Sequence, residues 1–328
     1  MKKTVPLLFL ILLVAHSYAQ PGLVAYYPFS GNTLDSTSNH HDGTIKGGVT
    51  LTADRFGNPN SAYHFNGSSG YITCPNDSQL LKSKNISFSV WFTVQNRPGG
   101  WDQNVILSNF GYHLSSGGFQ AWTSNPPGPY FSSFRNTTHN DLNLQGNDSI
   151  QTDLWYNLIV VLQYDSVHDS TTVINYLNGL PDDSGRYAKY IVYDAITSLY
   201  IGANRDISCC ERYFLGDIDE VKLFARALDP AEIMDIATET RSSPVISNQL
   251  SLFPNPSKGS FEIKNLPLIT DKINLEVMNL TGQMVFSETV ASTEKGKIKA
   301  ELPNLSSGIY VVRLKTEENI YQLKWVKE

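Results

Sequence analysis

The sequence predicts an all-β protein: a two-sheet jelly roll followed by a smaller β-sandwich. Three observations carry this. Short strand-like segments with turn-rich joints recur from residue 22 to 240, and long helical periodicity is absent until residue 230. A polar stretch, TRSSPVISNQ at 240–249, then reads as a linker. Beyond it the charge balance changes: residues 20–243 hold 13 Lys and Arg against 22 Asp and Glu, and residues 244–328 hold 10 against 9.

The elements follow in order. MKKTVPLLFLILLVAHSYAQ has a basic start, an apolar run from Val5 to Ala15 and a small-residue end at Ser17 and Ala19. It reads as a secretory leader over residues 1–19, cleaved after Ala19. No later segment approaches the ~20 apolar residues of a membrane span, so the mature chain is expected to have no transmembrane segment. SAYHFNGSSGYITC gives two short strands around Asn66–Gly70. ISFSVWFTVQ alternates Ile86, Phe88, Val90, Phe92 and Val94 with Ser87, Ser89, Trp91 and Thr93, a period of two. DLWYNLIVVLQYD is apolar on both faces and predicts a central strand. TTVINYLNGL ends in the hairpin signal Asn178-Gly179. Asp229 can cap, with Pro230 first in the helix and Glu232 three beyond the cap, so one short helix over about 230–239 closes the first domain, residues 20–240. After the linker, 241–249, residues 250–328 have the turn density of a small immunoglobulin-like sandwich.

Composition narrows the partners. Asp outnumbers Glu 18 to 4 in residues 20–243, which suits turns and hard-cation loops. An acidic surface argues against nucleic acid. HExxH, GxSxG, the P-loop and GxGxxG are all absent. Three cysteines, Cys74, Cys209 and Cys210, leave at least one thiol outside any intrachain pair. Cys74–Cys209, Cys74–Cys210 and a vicinal Cys209–Cys210 bridge all stay open.

The stretch GDIDEVKLFARALDPAEI gathers Asp217, Asp219 and Glu220. By strand alternation Asp217 and Asp219 share the face of Val221 and Leu223, and Glu220 points the other way. A retaining glycosidase needs two carboxyls ~5–5.5 Å apart on one face, and Val221 occupies the third alternate position. A buried Asp219 would then need a cation or N–H donors. Arg55 is one partner. Ca²⁺ is the other, with Asn32, Asp35, Asp217 and Asp219 as its candidate ligands. Trp101, Trp122, Tyr130 and Arg205 fall in or beside Gly-, Pro- and aromatic-rich loops and are the candidate ligand-binding residues, aromatic rings offering a stacking surface to sugars.

Two resemblances follow from these motifs. GLVAYYPFSGNTLDSTSNHHDGTI, RFGNPNSAYHFNGSSGYI, ISFSVWF, LWYNLIVVLQYD, YLNG, LYIGA and GDIDEVKLFARALDPAEI resemble, in order, the laminin-G-like branch of the concanavalin A-like jelly rolls. That resemblance implies glycan or protein binding, calcium held between the early loop and the late strand, and, in relatives, glycan cleavage. LFPNPSKGSFEI, NLTGQMV, LSSGIYVVRL and QLKWVKE resemble the C-terminal sorting domain of type IX secretion in Bacteroidetes. That one implies passage across the outer membrane by the type IX machinery. The expected function is a secreted or cell-surface, non-catalytic binding or adhesion module, calcium-assisted, recognising a glycan or an extracellular protein. The alternative is a polysaccharide-acting glycoside hydrolase.

Overall fold

Alternation in the sequence becomes two facing sheets. A computed structural model describes residues 20–75, 83–97, 103–109, 117–135, 141–189, 198–204, 212–238, 250–264, 273–279, 283–290, 297–315 and 320–328. The expected leader, the linker at 241–249, Trp101, Arg205, Cys209 and Cys210 lie outside the described residues.

The first region begins with β1 (Leu23–Tyr27), β2 (Thr44–Lys46), β3 (Val49–Thr52), β4 (Ala62–Asn66), β5 (Tyr71–Cys74) and β6 (Ile86–Phe92). It continues with β7 (Asn104–Ser108), β8 (Gly118–Thr123), β9 (Gly128–Arg135), β10 (Asp141–Ile150), β11 (Tyr156–Asp165) and β12 (Ser170–Leu177). Next come β13 (Leu180–Ala188), β14 (Leu199–Ile201), β15 (Ala203–Asn204), β16 (Arg212–Tyr213), β17 (Leu215–Phe224) and the helix α1 (Pro230–Ala237). An eight-stranded sheet runs β13-β12-β11-β6-β17-β4-β3, with β1 also paired to β17. A seven-stranded sheet runs β10-β9-β8-β7-β14-β5-β2.

The period-two segment is β6. Its Ile86, Phe88, Val90 and Phe92 enter the core between the sheets and meet Phe119, Ala121, Ile72 and Ile201 from the other side. The strand predicted to be central is β11, paired with β6 on one side and β12 on the other. Its second apolar face, Ile159 and Val161, is covered by Leu228, Ile233 and Ile236 on and before α1. That helix starts as the capping box requires: the Asp229 carboxylate accepts from Ala231 and Glu232, and the Glu232 carboxylate accepts from the Asp229 N–H. It ends at Ala237, two residues earlier than expected.

The two short strands around Asn66–Gly70 do not pair with each other. β4 belongs to the larger sheet and β5 to the smaller, so this turn carries the chain between layers. Asn66 makes the corner by accepting, at Oδ1, from the N–H groups of Ser68, Ser69 and Gly70. Asn178-Gly179 is the expected two-residue hairpin turn, both residues at positive φ (52° and 78°).

The C-terminal region has β18 (Ser251–Phe253), β19 (Ser260–Lys264), β20 (Ile273–Asn279), β21 (Met284–Val290), β22 (Ile298–Glu301), β23 (Gly308–Lys315) and β24 (Ile320–Lys327). A three-stranded sheet, β18-β19-β22, faces a four-stranded one, β21-β20-β23-β24, over a core that includes Phe261, Val277, Val312 and Trp325. Trp325 is wholly buried and donates its indole N–H to Ser257 Oγ at 2.8 Å.

Cys74, a candidate disulfide partner, is instead a free thiol with no exposed surface. It points inward from β5 because Ile72 and Cys74 share the core face, and burial pushes its pKa up to about 12. Cys74 should therefore resist iodoacetamide in the native chain and react only after unfolding, as peptide mass spectrometry would show. Rapid labelling at neutral pH in the folded state would contradict this placement.

Candidate functional site

The acids of β17 sit elsewhere than unbroken alternation predicts. Glu220 has φ +52°, and the register with β6 slips between Asp219 and Lys222. This is a β-bulge, one extra residue in the strand. Ile218 on one side of it and Val221 and Leu223 on the other all enter the core. Asp217 and Asp219 are therefore not on the face of Val221 and Leu223. They lie on the outer face of the larger sheet, opposite His64 and Trp91 in register.

Each of these charges is matched. Asp219 has no exposed surface, and its Oδ2 lies 3.5 Å from Arg55 Nη1 while its Oδ1 accepts the Glu220 N–H at 2.8 Å. The Arg55 guanidinium stands 4.3 Å from the ring centres of both Phe56 and Trp91. Asp217 takes His64 Nδ1 at 2.7 Å, and burial raises its pKa although the imidazole opposes the shift. Glu220 accepts from the Tyr26 hydroxyl at 2.6 Å and lies 3.9 Å from Lys222 Nζ. In the early loop, Asp35 is buried and accepts four hydrogen bonds: Tyr26 N and Thr37 N on Oδ1, Thr37 Oγ1 and His41 N on Oδ2.

This arrangement bears on calcium. The ion takes six to eight oxygens with lone pairs free to meet it. Both Asp35 oxygens are filled by N–H and O–H donors, Asn32 Oδ1 accepts the Leu34 N–H, Asp219 faces a guanidinium and Asp217 an imidazole. Among the described residues no group of three or more His, Cys, Asp or Glu side chains is arranged to hold a metal. The four candidate ligands do not fit a calcium ion as placed. Asp35 ties its own loop to β1, Asp217 meets His64 of β4, and Asp219 meets Arg55 of the turn before it.

The outer face of the smaller sheet is different in kind. One cross-strand row there reads Thr44, Thr73, Tyr200, Ser108, Gln120, Ser133, Asn143, a hydrogen-bonding side chain on every strand. The strand neighbours of this row, among them Ile72, Leu199, Leu107, Phe119 and Phe134, point into the core. At ~4.8 Å per strand the row spans roughly 29 Å. Its centre is covered: Ser108 and Gln120 are buried, and Gln120 is tied to Gln103 and Asn204 by amide hydrogen bonds of 3.0 and 2.7 Å. Toward the β10 edge it opens. Trp122 and Phe131, adjacent in the next row, stack at 3.9 Å with an interplanar angle of 11°. The Trp122 indole N–H donates to Ser133 Oγ at 3.1 Å, and Asn143 and Gln145 beside the pair are exposed. Toward the other edge, Tyr71 meets Tyr200 and Tyr213, with ring centres 6.0 and 6.3 Å apart.

Of the candidate ligand-binding residues, Trp122 lies on this face and Tyr130 does not. Tyr130 is one residue off the row, so it points inward. It is fully buried, its hydroxyl donates to Asp182 at 2.6 Å, and burial raises its pKa far above the phenol range. Phe131, Ser133, Asn143 and Gln145 are not among the candidates read from the sequence. Their signal is the alternation of PYFSSF and DLNLQ, where Phe131, Ser133, Asn143 and Gln145 occupy the outward positions.

Comparison with known proteins decides the family. A family model described as the concanavalin A-like lectin/glucanases superfamily, laminin G type, matches residues 66–234. The chain belongs to the concanavalin A-like lectin/glucanase superfamily. A second model, the secretion system C-terminal sorting domain, matches residues 251–328 and marks the chain for export to the cell surface or the extracellular space. No curated protein matches the sequence. Among solved structures, the serotype C1 botulinum neurotoxin binding domain is 14% identical, with a TM-score of 0.51, covering 92% of this chain and 73% of that one. The type G receptor binding domain is 14% identical at 0.50, covering 92% and 74%. Domain 4 of AbnA, a GH43 extracellular arabinanase from Geobacillus stearothermophilus solved with arabinotriose, is 23% identical at 0.48, covering 66% and 98%.

Within this lectin/glucanase fold, the Arg55–Asp219 pair joins the turn after β3 to β17 on the outer face of the larger sheet. Both side chains are almost wholly buried. Arg55→Ala leaves a buried carboxylate uncompensated and should cost about 3–5 kcal/mol in urea unfolding of the full chain. Arg55→Lys should recover only part, because an ammonium cannot lie flat between Phe56 and Trp91. A loss below about 1 kcal/mol for Arg55→Ala would show that the pair does not hold the sheet.

Proposed function

We propose that this chain is a secreted, non-catalytic glycan-binding module that engages a polysaccharide on the outer face of its smaller sheet. The observation that carries the proposal is the Trp122–Phe131 stack beside Ser133, Asn143 and Gln145. A pyranose or furanose ring offers an apolar C–H face and a rim of hydroxyls. The aromatic pair supplies a flat apolar surface for the first, and the exposed amides supply donors and acceptors for the second. No charge on the ligand is required, which agrees with an acidic jelly roll that repels polyanions.

The acids support a non-catalytic role. Glycoside hydrolysis needs two carboxyls free to face a scissile bond, whereas Asp217, Asp219 and Glu220 are engaged with His64, Arg55 and Tyr26 on the opposite side of the sandwich. Membership of a lectin/glucanase superfamily and a sorting domain for export support a binding role outside the cell.

Screening the full chain against neutral plant and microbial oligosaccharides should find a binder. Trp122→Ala should then weaken it by about 2 kcal/mol, roughly thirtyfold, with the unfolding midpoint nearly unchanged, because Trp122 is only half-buried and lies outside the core. Unchanged affinity in the Trp122→Ala protein would refute the placement of the site.

A further inference from the structure

The four-stranded sheet of the sorting domain has two faces, and each carries buried apolar side chains. Its inner face includes Leu275, Val277, Val312, Leu314 and Trp325 and closes on the three-stranded sheet. Its outer face carries Met278 and Val311, cross-strand partners on β20 and β23. Neither belongs to the sorting domain's own core. They cluster with Leu180, at the β12–β13 turn, and Met234 of α1 from the jelly roll, and all four are buried. The two jelly-roll elements are themselves close-packed: an added Cβ on Gly179 would stand 2.9 Å from the Ala237 Cβ of α1.

Charges ring the apolar patch with opposite sign on the two sides. Lys324, the neighbour of Val311 on β24, pairs with Asp235 of α1. Arg313, one step along β23 and 3.7 Å from Glu276, also feels the Asp148 carboxylate of β10, which favours its charged form against a burial that lowers its pKa. An acidic jelly roll thus meets basic groups on the sorting domain.

We propose that the sorting domain is latched onto the jelly roll through this outer sheet face, with α1 and the β12–β13 turn as its partner. The two domains then travel as one body, and separating them requires breaking this contact as well as the linker. The patch is small, but a short tether holds the partners at an effective concentration in the millimolar range, so a contact too weak for two free proteins stays closed within one chain.

Methionine oxidation reads the latch directly. Residues 20–328 contain three methionines: Met234 and Met278 inside the contact and Met284, 52% exposed, on the same domain as Met278. Under limiting peroxide the intact chain should oxidise Met284 first and Met278 at least about ten times more slowly. Leu180→Asp in the full chain should bring Met278 to within about twofold of Met284. Lys324→Glu, which changes no core residue, should move Met278 the same way to a smaller extent. If Met278 oxidises as fast as Met284 in the unaltered chain, or stays protected in both variants, the latch does not exist.

Discussion

The β-bulge at Glu220 is the feature on which the rest of the jelly roll depends. Without it, β17 could not send Ile218, Val221 and Leu223 all into the core while holding register with β6. Inserting one residue at positive φ costs backbone strain of order 1 kcal/mol or more. It also turns a run of four charged residues, Asp217, Asp219, Glu220 and Lys222, onto one outer surface. Three of them are buried there and cannot stay unpaired. Arg55 meets Asp219, Tyr26 meets Glu220, which also faces Lys222, and His64 meets the half-buried Asp217, so one local irregularity ties the first strand, the turn at 54–58 and β4 to β17.

This division of labour assigns the two outer faces. On the larger sheet, α1 covers Ile159 and Val161 at one end, and the Arg55 turn covers Asp219 beside Trp91 at the other. The smaller sheet has no helix on its outer face among the described residues. There the alternation leaves a row of hydroxyls and amides, with aromatic groups near both edges. The smaller sheet is accordingly the proposed recognition surface, while the acids of β17 are engaged by Arg55, His64 and Tyr26 on the other.

Much of the fold was legible because it rests on local patterns. The period of two in ISFSVWF, the two-faced apolarity of β11, Asn178-Gly179 and the Asp229–Glu232 capping box each became the element they predicted. The bulge was not legible, since Glu220 carries no mark of positive φ such as Gly or Asn would give. Without it, the facing of Asp217 and Asp219 came out inverted. Tyr130 failed for a related reason: in a strand whose two faces both bear aromatics, composition does not say which face is inside, and only the register with β8 does. Arg55 was one of two partners, beside Ca²⁺, that a buried Asp219 called for, although the carboxylate is buried on the outer face and not beside Val221.

The central claim is that ligand recognition and charge satisfaction occupy opposite faces of one sandwich. Hydrogen–deuterium exchange of the full chain, with and without a saturating neutral oligosaccharide found by screening, tests it most directly. Protection should concentrate in 118–123, 128–135 and 141–150, with 54–61 and 215–224 unchanged. Protection of 54–61 and 215–224, with the smaller sheet unaffected, would contradict the account.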